Sequence, residues 1–554
     1  MEQKKDSRQN HGTGQTRGTV SRRDFLGLGG IAATSGILAL SGCAAAPAAK
    51  GSAGEGLDAS KESAKPAFMQ APEPITDIAE TKDYDVVVVG AGASGIPAAL
   101  SANEKGAAVA LLQKESRASS NGNTGTGIDL ANSDPAGVEA LIALLIKDCN
   151  YRSNRALVEK WAYRSGEAVK WVIEQSLKGD ATVIDQKNAQ AAAVTTVNGY
   201  TLNYVTSYFG PKPYTTGDGM VALASVAEKA GVEILYSTPA VQLVVEGGAV
   251  TAVIAKGPQG YIRLNAKKGV ILATGDYQNN EEICEYYLPD VRNFGRKQIG
   301  RTGDGHMMGL WAGAVMEPIG HTKMLHDFDA GPASMCDMPF LAVTEDGKRF
   351  CNEETPMSIL NNFLKEPIGS KTEGGWYSQV FDSSYMEQAQ GWPGGLVPPE
   401  GLVNYMPEEP GEKKGVLEGF IRTFKADTID ELAKKIETDP TELKKTIARY
   451  NELVEKGTDD DFGKQAKFLK PIVTPPFYGI HRWLRISALC SGLVVDENGQ
   501  CLDAQGQPIK GLFAVGNTAG SFYAGVDYPM TLPGYNLGHC YTQGRVTGQY
   551  VAGL

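Results

Sequence analysis

The sequence lacks any uninterrupted run of 18 or more apolar residues, which is about the length that a helix needs to cross a bilayer. It also lacks a basic excess, because 53 Lys and Arg stand against 64 Asp and Glu, a formal net charge of −11. The first absence excludes a multi-span membrane protein. The second removes the electrostatic basis for nucleic-acid binding.

Metal-binding sequence patterns are missing as well. None of the eight cysteines belongs to a CxxC or CxxCH motif, so the c-type haem motif and the common ferredoxin spacings are absent. We therefore expect the seven cysteines after Cys43 to be small buried apolar residues rather than a cluster, and we predict no metal site.

Glycine, in contrast, is abundant. The chain has 66 glycines in 554 residues, clearly more than the usual ~7%. Such an excess predicts tight turns and places where the backbone approaches a ligand closely. The length and the 42% hydrophobic content are those of an ordinary globular protein with several domains.

The N-terminal 43 residues have the form of an export signal. A twin-arginine sequence at Ser21–Leu26 precedes a short apolar run, and Cys43 follows at a position typical of lipoprotein cleavage. A plain signal peptide with a chance cysteine is the alternative. We expect 1–43 to direct export by the twin-arginine route, with a lipid on Cys43 at the outer face of the cytoplasmic membrane. Residues 44–80, rich in Ala, Gly, Ser, Pro, Lys and Glu, are predicted to be a flexible tether.

A nucleotide-binding turn follows the predicted tether. The β-branched run at Tyr84–Val89 predicts a buried parallel strand, and it leads directly into the glycine sequence GAGASG and an Ala-rich helix. In such a turn Gly90 permits the tight bend, Gly92 lets the backbone approach a pyrophosphate, and Gly95 lets the helix pack on the strand. The sequence therefore predicts a dinucleotide site.

The second strand of this unit departs from the usual pattern. It is predicted at Val109–Leu112, and an acidic residue that binds the ribose hydroxyls normally stands at its end. Here the position holds Gln113, followed by Lys114. We expect Gln113 to make the ribose contact without a charge.

Four further motifs follow in a fixed order: GVILATG at 269–275, TGDG at Thr302–Gly305, GKRF at Gly347–Phe350, and IKGLFAVGN at 509–517. With the first glycine turn they make residues 83–554 resemble the fumarate reductase/succinate dehydrogenase-type FAD flavoproteins. The resemblance implies an α/β fold with a discontinuous Rossmann-like FAD-binding domain. That domain would span 81–315 and 478–554, with an inserted α+β clamp domain at 316–477.

The resemblance implies FAD as the cofactor, and no second strand-linked GxGxxG suggests a separate nicotinamide domain. Some relatives attach FAD to a histidine near the second glycine-rich loop, at 119–127 here. This chain has no histidine between His11 and His306, so noncovalent binding is expected. The residues predicted to contact FAD are Gly90, Gly92, Ala93, Ser94, Gly95, Gln113, Lys114, Asn121, Thr124, Gly125, Gly127, Val241, Ala273, Thr274, Gly275, Asp304, Gly516, Asn517, Asn536 and Leu537.

The charged substrate-binding positions of the fumarate reductases are missing. The segment Asn352–Ser358 lacks the expected arginine, Ile486–Leu493 lacks the histidine, and Tyr528–Gly538 lacks the second arginine. A buried anion without such partners would be costly, so the sequence argues against a dicarboxylate substrate.

The C-terminal segment is instead similar to a motif of the 3-ketosteroid dehydrogenases, in which a tyrosine hydroxyl and a glycine N–H bind a ketone oxygen. Carried over residue by residue, the resemblance assigns these catalytic roles to Tyr528 and Gly534. Two neutral donors of this kind form an oxyanion hole. The proton donor stays open, and the tyrosines that are candidates by residue type alone are Tyr200, Tyr204, Tyr208, Tyr214 and Tyr523.

Together these patterns predict an exported FAD-dependent reductase acting on the C=C bond of a neutral α,β-unsaturated carbonyl compound, such as a steroid-like compound, a lactone or an aromatic enone. Electrons would come from a separate donor, either quinol-linked or a small electron carrier. Three alternatives stay open: a 3-ketosteroid-type dehydrogenase working in the oxidative direction, a carboxylate reductase of the fumarate or urocanate kind, and a flavin-carrying module without a substrate of its own.

Overall fold

The computed structural model describes residues 65–183, 194–211, 214–325, 330–365, 374–413, 416, 418–525 and 528–554. The predicted signal peptide and residues 44–64 of the predicted tether lie outside these ranges. The strands are β1 (Ile78–Val89), β2 (Val109–Leu112), β3 (Thr124–Ile128), β4 (Val194–Val197), β5 (Tyr200–Tyr208), β6 (Glu233–Leu235), β7 (Ala240–Glu246), β8 (Ala249–Gly257), β9 (Gly260–Leu272), β10 (Lys323–Met324), β11 (Leu341–Val343), β12 (Trp376–Asp382), β13 (Thr423–Ala426), β14 (Phe477–Trp483), β15 (Ala488–Leu489), β16 (Gln500–Leu502) and β17 (Pro508–Ala514). The α-helices are α1 (Gly95–Asn103), α2 (Pro135–Asp148), α3 (Arg155–Lys178), α4 (Thr216–Lys229), α5 (Glu281–Tyr287), α6 (Asp304–Trp311), α7 (Met357–Leu360), α8 (Tyr385–Gln388), α9 (Pro399–Leu402), α10 (Ile429–Lys435), α11 (Pro440–Lys456) and α12 (Tyr535–Gly553).

The main sheet has the strand order β16-β17-β9-β1-β2-β6, and β1 pairs in parallel with both β2 and β9. Val86, Val87 and Val88 have no exposed surface, as expected where both faces of a parallel sheet are covered. Strand β17 comes from the C-terminal part of the chain and pairs in parallel with β9. One sheet therefore joins two distant parts of the sequence, and the predicted α/β fold class is confirmed.

The C-terminal helix α12 packs directly on α1. A Cβ atom at Gly544 would lie 2.1 Å from the Ser94 carbonyl oxygen, and one at Gly548 would lie 2.2 Å from that of Ala98. Only glycine permits backbone contact this close. The end of the chain is thereby held against the helix that follows the first glycine turn.

A second sheet has the antiparallel order β11-β12-β14-β13, and three of its four strands lie within the predicted insert. Helices α10 and α11 cover one face, where Leu432, Leu443 and Ile447 are buried. Strand β14 pairs with β12 along its whole length. The insert sheet thus continues to Trp483, beyond the predicted division between residues 477 and 478.

Residues 65–80 differ from the predicted flexible tether. Phe68 is 4% exposed and packs against Tyr286 and Tyr287. Its carbonyl oxygen accepts a hydrogen bond of 2.9 Å from Trp311 Nε1. The Ile75 N–H also donates to Gln242 Oε1 at 3.0 Å, and β1 already begins at Ile78; composition alone did not reveal this order.

The cysteines behave as expected from their scatter. All seven cysteines in the described ranges are free and buried, which confirms the prediction of small apolar residues. They are Cys149, Cys284, Cys336, Cys351, Cys490, Cys501 and Cys540.

Among the described residues, no helix combines the length and apolar character needed to cross a membrane.

The arginine of the GKRF motif belongs to a buried ion cluster in the insert. Arg349 makes bidentate contacts with Glu353 (2.7 and 2.7 Å) and with Asp459 (2.9 and 2.7 Å). Asp459 also accepts hydrogen bonds from the backbone N–H groups of Phe462 and Lys464. Burial alone would raise the pKa of Asp459, but these donors outweigh it and lower the pKa to about 2.

We predict that Asp459→Asn lowers the free energy of unfolding by about 3–5 kcal/mol, because it leaves the buried Arg349 charge without one partner. Because the folded pKa is depressed, the contribution is complete above the unfolded pKa of ~3.9 and is lost as the pH falls through about 2. Denaturant unfolding at pH 7 measures the effect. Lys445→Gln, which removes an exposed ion pair with Glu442, is the control; equal stability losses in both variants would contradict the prediction.

Candidate cofactor and substrate site

A cavity of about 1380 Å³ runs between the first glycine turn, the second glycine-rich loop, the start of α12 and the insert. Its insert wall includes Val397, Tyr405 and Phe420. Pockets for a single ligand usually measure ~300–1,000 Å³. The cavity is therefore large enough for a dinucleotide and a second molecule.

The first glycine turn forms the cradle that a diphosphate requires. Gly90 has a φ of +109°, and a Cβ there would lie 2.4 Å from the Ala273 carbonyl oxygen. A Cβ at Gly95 would lie 1.8 Å from the Gly90 carbonyl oxygen. The glycines thus leave backbone groups uncovered at the N-terminus of α1, where N–H groups and the helix dipole favour an anion. These residues fit FAD.

The predicted ribose end is polar. Gln113 is 7% exposed, and its Nε2 donates to the Arg117 carbonyl oxygen at 3.0 Å. Lys114 Nζ lies 2.9 Å from Asp304 Oδ2, so two residues predicted separately form an ion pair. Asp304 therefore neutralises the lysine that follows the second strand.

Most of the predicted residues face this one cavity. Those lining it are Gly90, Gly92, Ala93, Ser94, Gln113, Lys114, Asn121, Thr124, Ala273, Thr274, Gly275, Asp304, Asn517, Asn536 and Leu537, with Tyr528 and Gly534 from the predicted catalytic pair. Sites that are 400 residues apart in sequence are thereby brought to a single wall.

Five predicted residues lie behind the wall instead. Gly95 backs the first turn, and Gly125 leaves room for the Tyr541 ring, 2.3 Å from where a Cβ would stand. Gly127 and Gly516 allow similar close contacts with Ser165 and Ser94. Val241 lies at an irregularity in β7 beside Ala240, which does line the cavity. These glycines act through packing.

The predicted carbonyl site is at the start of α12. Tyr528 Oη accepts a hydrogen bond of 3.1 Å from the Asn536 N–H, and Tyr523 Oη donates to Asn536 Oδ1 at 3.3 Å. Burial raises the pKa of Tyr528, so its hydroxyl is protonated at neutral pH. Gly534 caps α12 with a φ of +76°, where backbone N–H groups have no partner within the helix.

Two of the five candidate tyrosines reach the cavity. Tyr208 and Tyr214 line it with ring centroids 4.9 Å apart in an edge-to-face arrangement. Tyr208 pairs with Thr124 across β3 and β5, and Thr124 Oγ1 lies 3.0 Å from where a Cβ of Gly534 would stand. The Tyr208 backbone is therefore on the strand next to Thr124, the residue that contacts Gly534.

The other three candidate tyrosines are not among the residues that line the cavity. Tyr204 hydrogen-bonds Thr195 at 2.8 Å, Tyr200 is 41% exposed, and Tyr523 is buried behind Tyr528.

The sequence reasoning missed a polar wall formed by Asp276, Lys297, Gln298 and Arg301, all of which line the cavity. Asp276 is 1% exposed, accepts a hydrogen bond from the Leu489 N–H at 2.9 Å, and has its pKa raised by burial. The sequence offered one signal for this wall: Asp276 directly follows the GVILATG motif, and Arg301 directly precedes the TGDG motif.

Comparison with known proteins agrees with this geometry. The chain is 29% identical over 510 residues to the vinyl phenol reductase of Lactiplantibacillus plantarum, covering 86% of this chain and 97% of the relative. An open-form flavocytochrome c3 fumarate reductase matches with a TM-score of 0.64 at 24% identity, covering 86% of this chain and 79% of that one. The 3-ketosteroid delta1-dehydrogenase of Sterolibacterium denitrificans gives 0.62 at 19% identity, covering 85% and 99%. The sequence profile described as an FAD binding domain matches residues 85–528. The chain therefore belongs to this family and is an FAD-dependent oxidoreductase.

Proposed function

We propose that the protein reduces the C=C bond of a neutral, ring-containing conjugated compound, chiefly an α,β-unsaturated carbonyl compound. The observation that carries this proposal is the buried, protonated hydroxyl of Tyr528 beside Gly534 at the N-terminus of α12. These donors line the same cavity as the cofactor residues. The similarity to a vinyl phenol reductase, named for a neutral aromatic substrate, supports the proposal.

The donors at this end of the cavity are suited to a developing oxyanion. The Asn536 N–H donates to Tyr528 Oη and so fixes the position of this hydroxyl, and Tyr528 lines the cavity. The positive end of α12 adds to the stabilisation. Reduced FAD, when bound, would supply a hydride, and the donors at Tyr528 and Gly534 would stabilise the charge that develops on the substrate oxygen.

The second hydrogen is a proton, and three phenols line the cavity to provide it: Tyr208, Tyr214 and Tyr405. Burial raises the pKa of Tyr405, which keeps its proton in place at neutral pH. The aromatic pair of Tyr208 and Tyr214 also offers a flat apolar wall for a substrate ring.

Two other functions have a specific observation in their favour. Tyr528 and Gly534 suit a 3-ketosteroid-type dehydrogenase equally well, because hydride transfer with a flavin is reversible. Lys297 and Arg301 line the cavity and would favour a carboxylate reductase of the fumarate or urocanate kind. The substrate panel described below distinguishes both functions from the proposed one.

We also infer noncovalent FAD, since the loop at 119–127 contains neither histidine nor cysteine. Export by the twin-arginine route, a lipid on Cys43 and a separate quinol-linked or small electron donor complete the proposal. The export signal and Cys43 lie outside the described residues.

We expect the chemically reduced protein, without oxygen, to be reoxidised rapidly by neutral conjugated ring compounds. The measurement is flavin absorbance with a panel of a 3-keto-4-ene steroid, an unsaturated lactone, a vinyl phenol, a cinnamate, urocanate and fumarate. Reoxidation by the carboxylates alone would refute the proposed substrate class. Reduction of the oxidised protein by a saturated 3-ketosteroid would favour the oxidative direction, and no reaction with any compound would indicate a carrier.

We predict that Tyr528→Phe lowers turnover about 10²- to 10³-fold, because it removes one donor to the oxyanion. The measurement is the rate of anaerobic flavin reoxidation at saturating substrate, with bound flavin quantified by absorbance. Tyr200→Phe, which removes an exposed hydroxyl, is the matched control. Unchanged turnover in a Tyr528→Phe protein that retains FAD would exclude this hydroxyl from catalysis.

For the export proposal, we expect Cys43→Ser to release the protein from the membrane fraction, because the lipid attachment site is lost. The double variant Arg22→Lys, Arg23→Lys should keep the protein in the cytoplasm. Cell fractionation with immunoblotting measures both effects. Membrane association that persists in Cys43→Ser would contradict the anchor.

A further inference from the structure

Arg301 lines the cavity close to the first glycine turn. A Cβ at Gly275 would stand 3.2 Å from Arg301 Cδ and 3.4 Å from its Nε, so the side chain runs along the Gly275 backbone. Two residues earlier, the Ala273 carbonyl oxygen is in contact with Gly90. One short turn, 273–275, therefore separates the arginine from the diphosphate cradle.

The charge balance of the cavity singles out this arginine. The cations lining it among the described residues are Lys114, Lys297 and Arg301, and the acids are Glu115, Asp276 and Asp304. Arg301 interacts electrostatically with Asp276, whose pKa is raised by burial. Lys114 is already paired with Asp304. Arg301 Nε makes one long hydrogen bond of 3.4 Å to Gln298 Oε1, and its terminal nitrogens have no hydrogen-bond partner in the described ranges.

The cradle itself provides backbone donors but no cation. Its sequence from Gly90 to Gly95 is GAGASG, and α1 begins without a basic residue. The diphosphate of FAD carries about two negative charges, whereas the predicted ribose end is neutralised by the pair of Lys114 and Asp304. A guanidinium near the cradle would supply counter-charge to the diphosphate.

We propose that Arg301 binds the diphosphate of FAD and is a cofactor-specificity residue of this chain. The edge formed by the two terminal nitrogens of a planar guanidinium matches phosphate oxygens in a bidentate manner, which a lysine ammonium cannot reproduce. The hydrogen bond from Arg301 to Gln298, whose amide in turn donates to the Ser487 carbonyl oxygen, holds the side chain toward the cavity.

The main competing role for Arg301 is to bind an anionic group of the substrate. This role predicts a change in the KM for a carboxylate substrate without a change in FAD affinity. The diphosphate role predicts the reverse, and it is independent of the substrate class proposed above.

The test uses the full-length protein stripped of FAD, titrated with FAD and with riboflavin, which has no phosphate. Quenching of flavin fluorescence gives both dissociation constants. For Arg301→Gln we expect FAD affinity to fall about 10- to 100-fold, as for loss of charge-assisted hydrogen bonds, with riboflavin affinity unchanged. Arg301→Lys should give an intermediate loss, and the salt dependence of FAD binding should become weaker in Arg301→Gln.

Lys297→Gln is the matched control, because it removes the same charge from the same wall. We expect it to leave the ratio of FAD to riboflavin affinity unchanged. An equal fall for FAD and riboflavin in Arg301→Gln, an equal effect of Lys297→Gln, or unchanged FAD affinity would each overturn the proposal. Equal thermal unfolding of the FAD-free variants establishes that the difference is one of binding.

Discussion

Backbone contact between the first glycine turn and the C-terminal helix governs the geometry of this protein. Gly544 rests on the Ser94 carbonyl and Gly548 on that of Ala98, while Gly95 leaves room for the Gly90 carbonyl. Any side chain at these positions would push α12 away from α1. Because Gly534 caps that same helix, the distance between the diphosphate cradle and the carbonyl site is fixed by glycine contacts.

The same constraint explains how neutral groups form a reactive site. Asn536 lies in the first turn of α12, and its N–H donates to Tyr528 Oη. The helix thus orients a hydroxyl that belongs to a loop several residues away. A substrate oxygen at this point would meet a buried donor, a capping glycine and the positive end of a helix, without a full positive charge.

Local patterns predicted the nucleotide turn well, because strand, glycines and helix are adjacent in sequence and each residue has a distinct conformational role. Long-range features were harder. Asp276 and Arg301 lie within recognisable motifs, but their place on the cavity wall depends on how two loops fold together. Phe68 is one aromatic residue within a sequence of disordered composition, and only its packing against Tyr286 and Tyr287 reveals order. Likewise, the motifs placed the end of the insert at residue 477. Strand β14 lies almost entirely after that point, but it pairs with β12 and therefore belongs to the sheet of the insert.

The cavity has two electrostatic regions with different requirements. A permanently charged diphosphate must find counter-charge wherever it is buried, and in our proposal the guanidinium of Arg301 provides it at the cofactor end. A neutral carbonyl needs charge stabilisation only while it reacts, and in the proposed function the hydroxyl of Tyr528 would provide it without attracting anions in the ground state. Under the proposed function, separation of the two regions would let one cavity hold an anionic cofactor tightly while the substrate end selects neutral molecules. A cation moved to the Tyr528 end would remove that selection, because it would bind carboxylates before any reaction began.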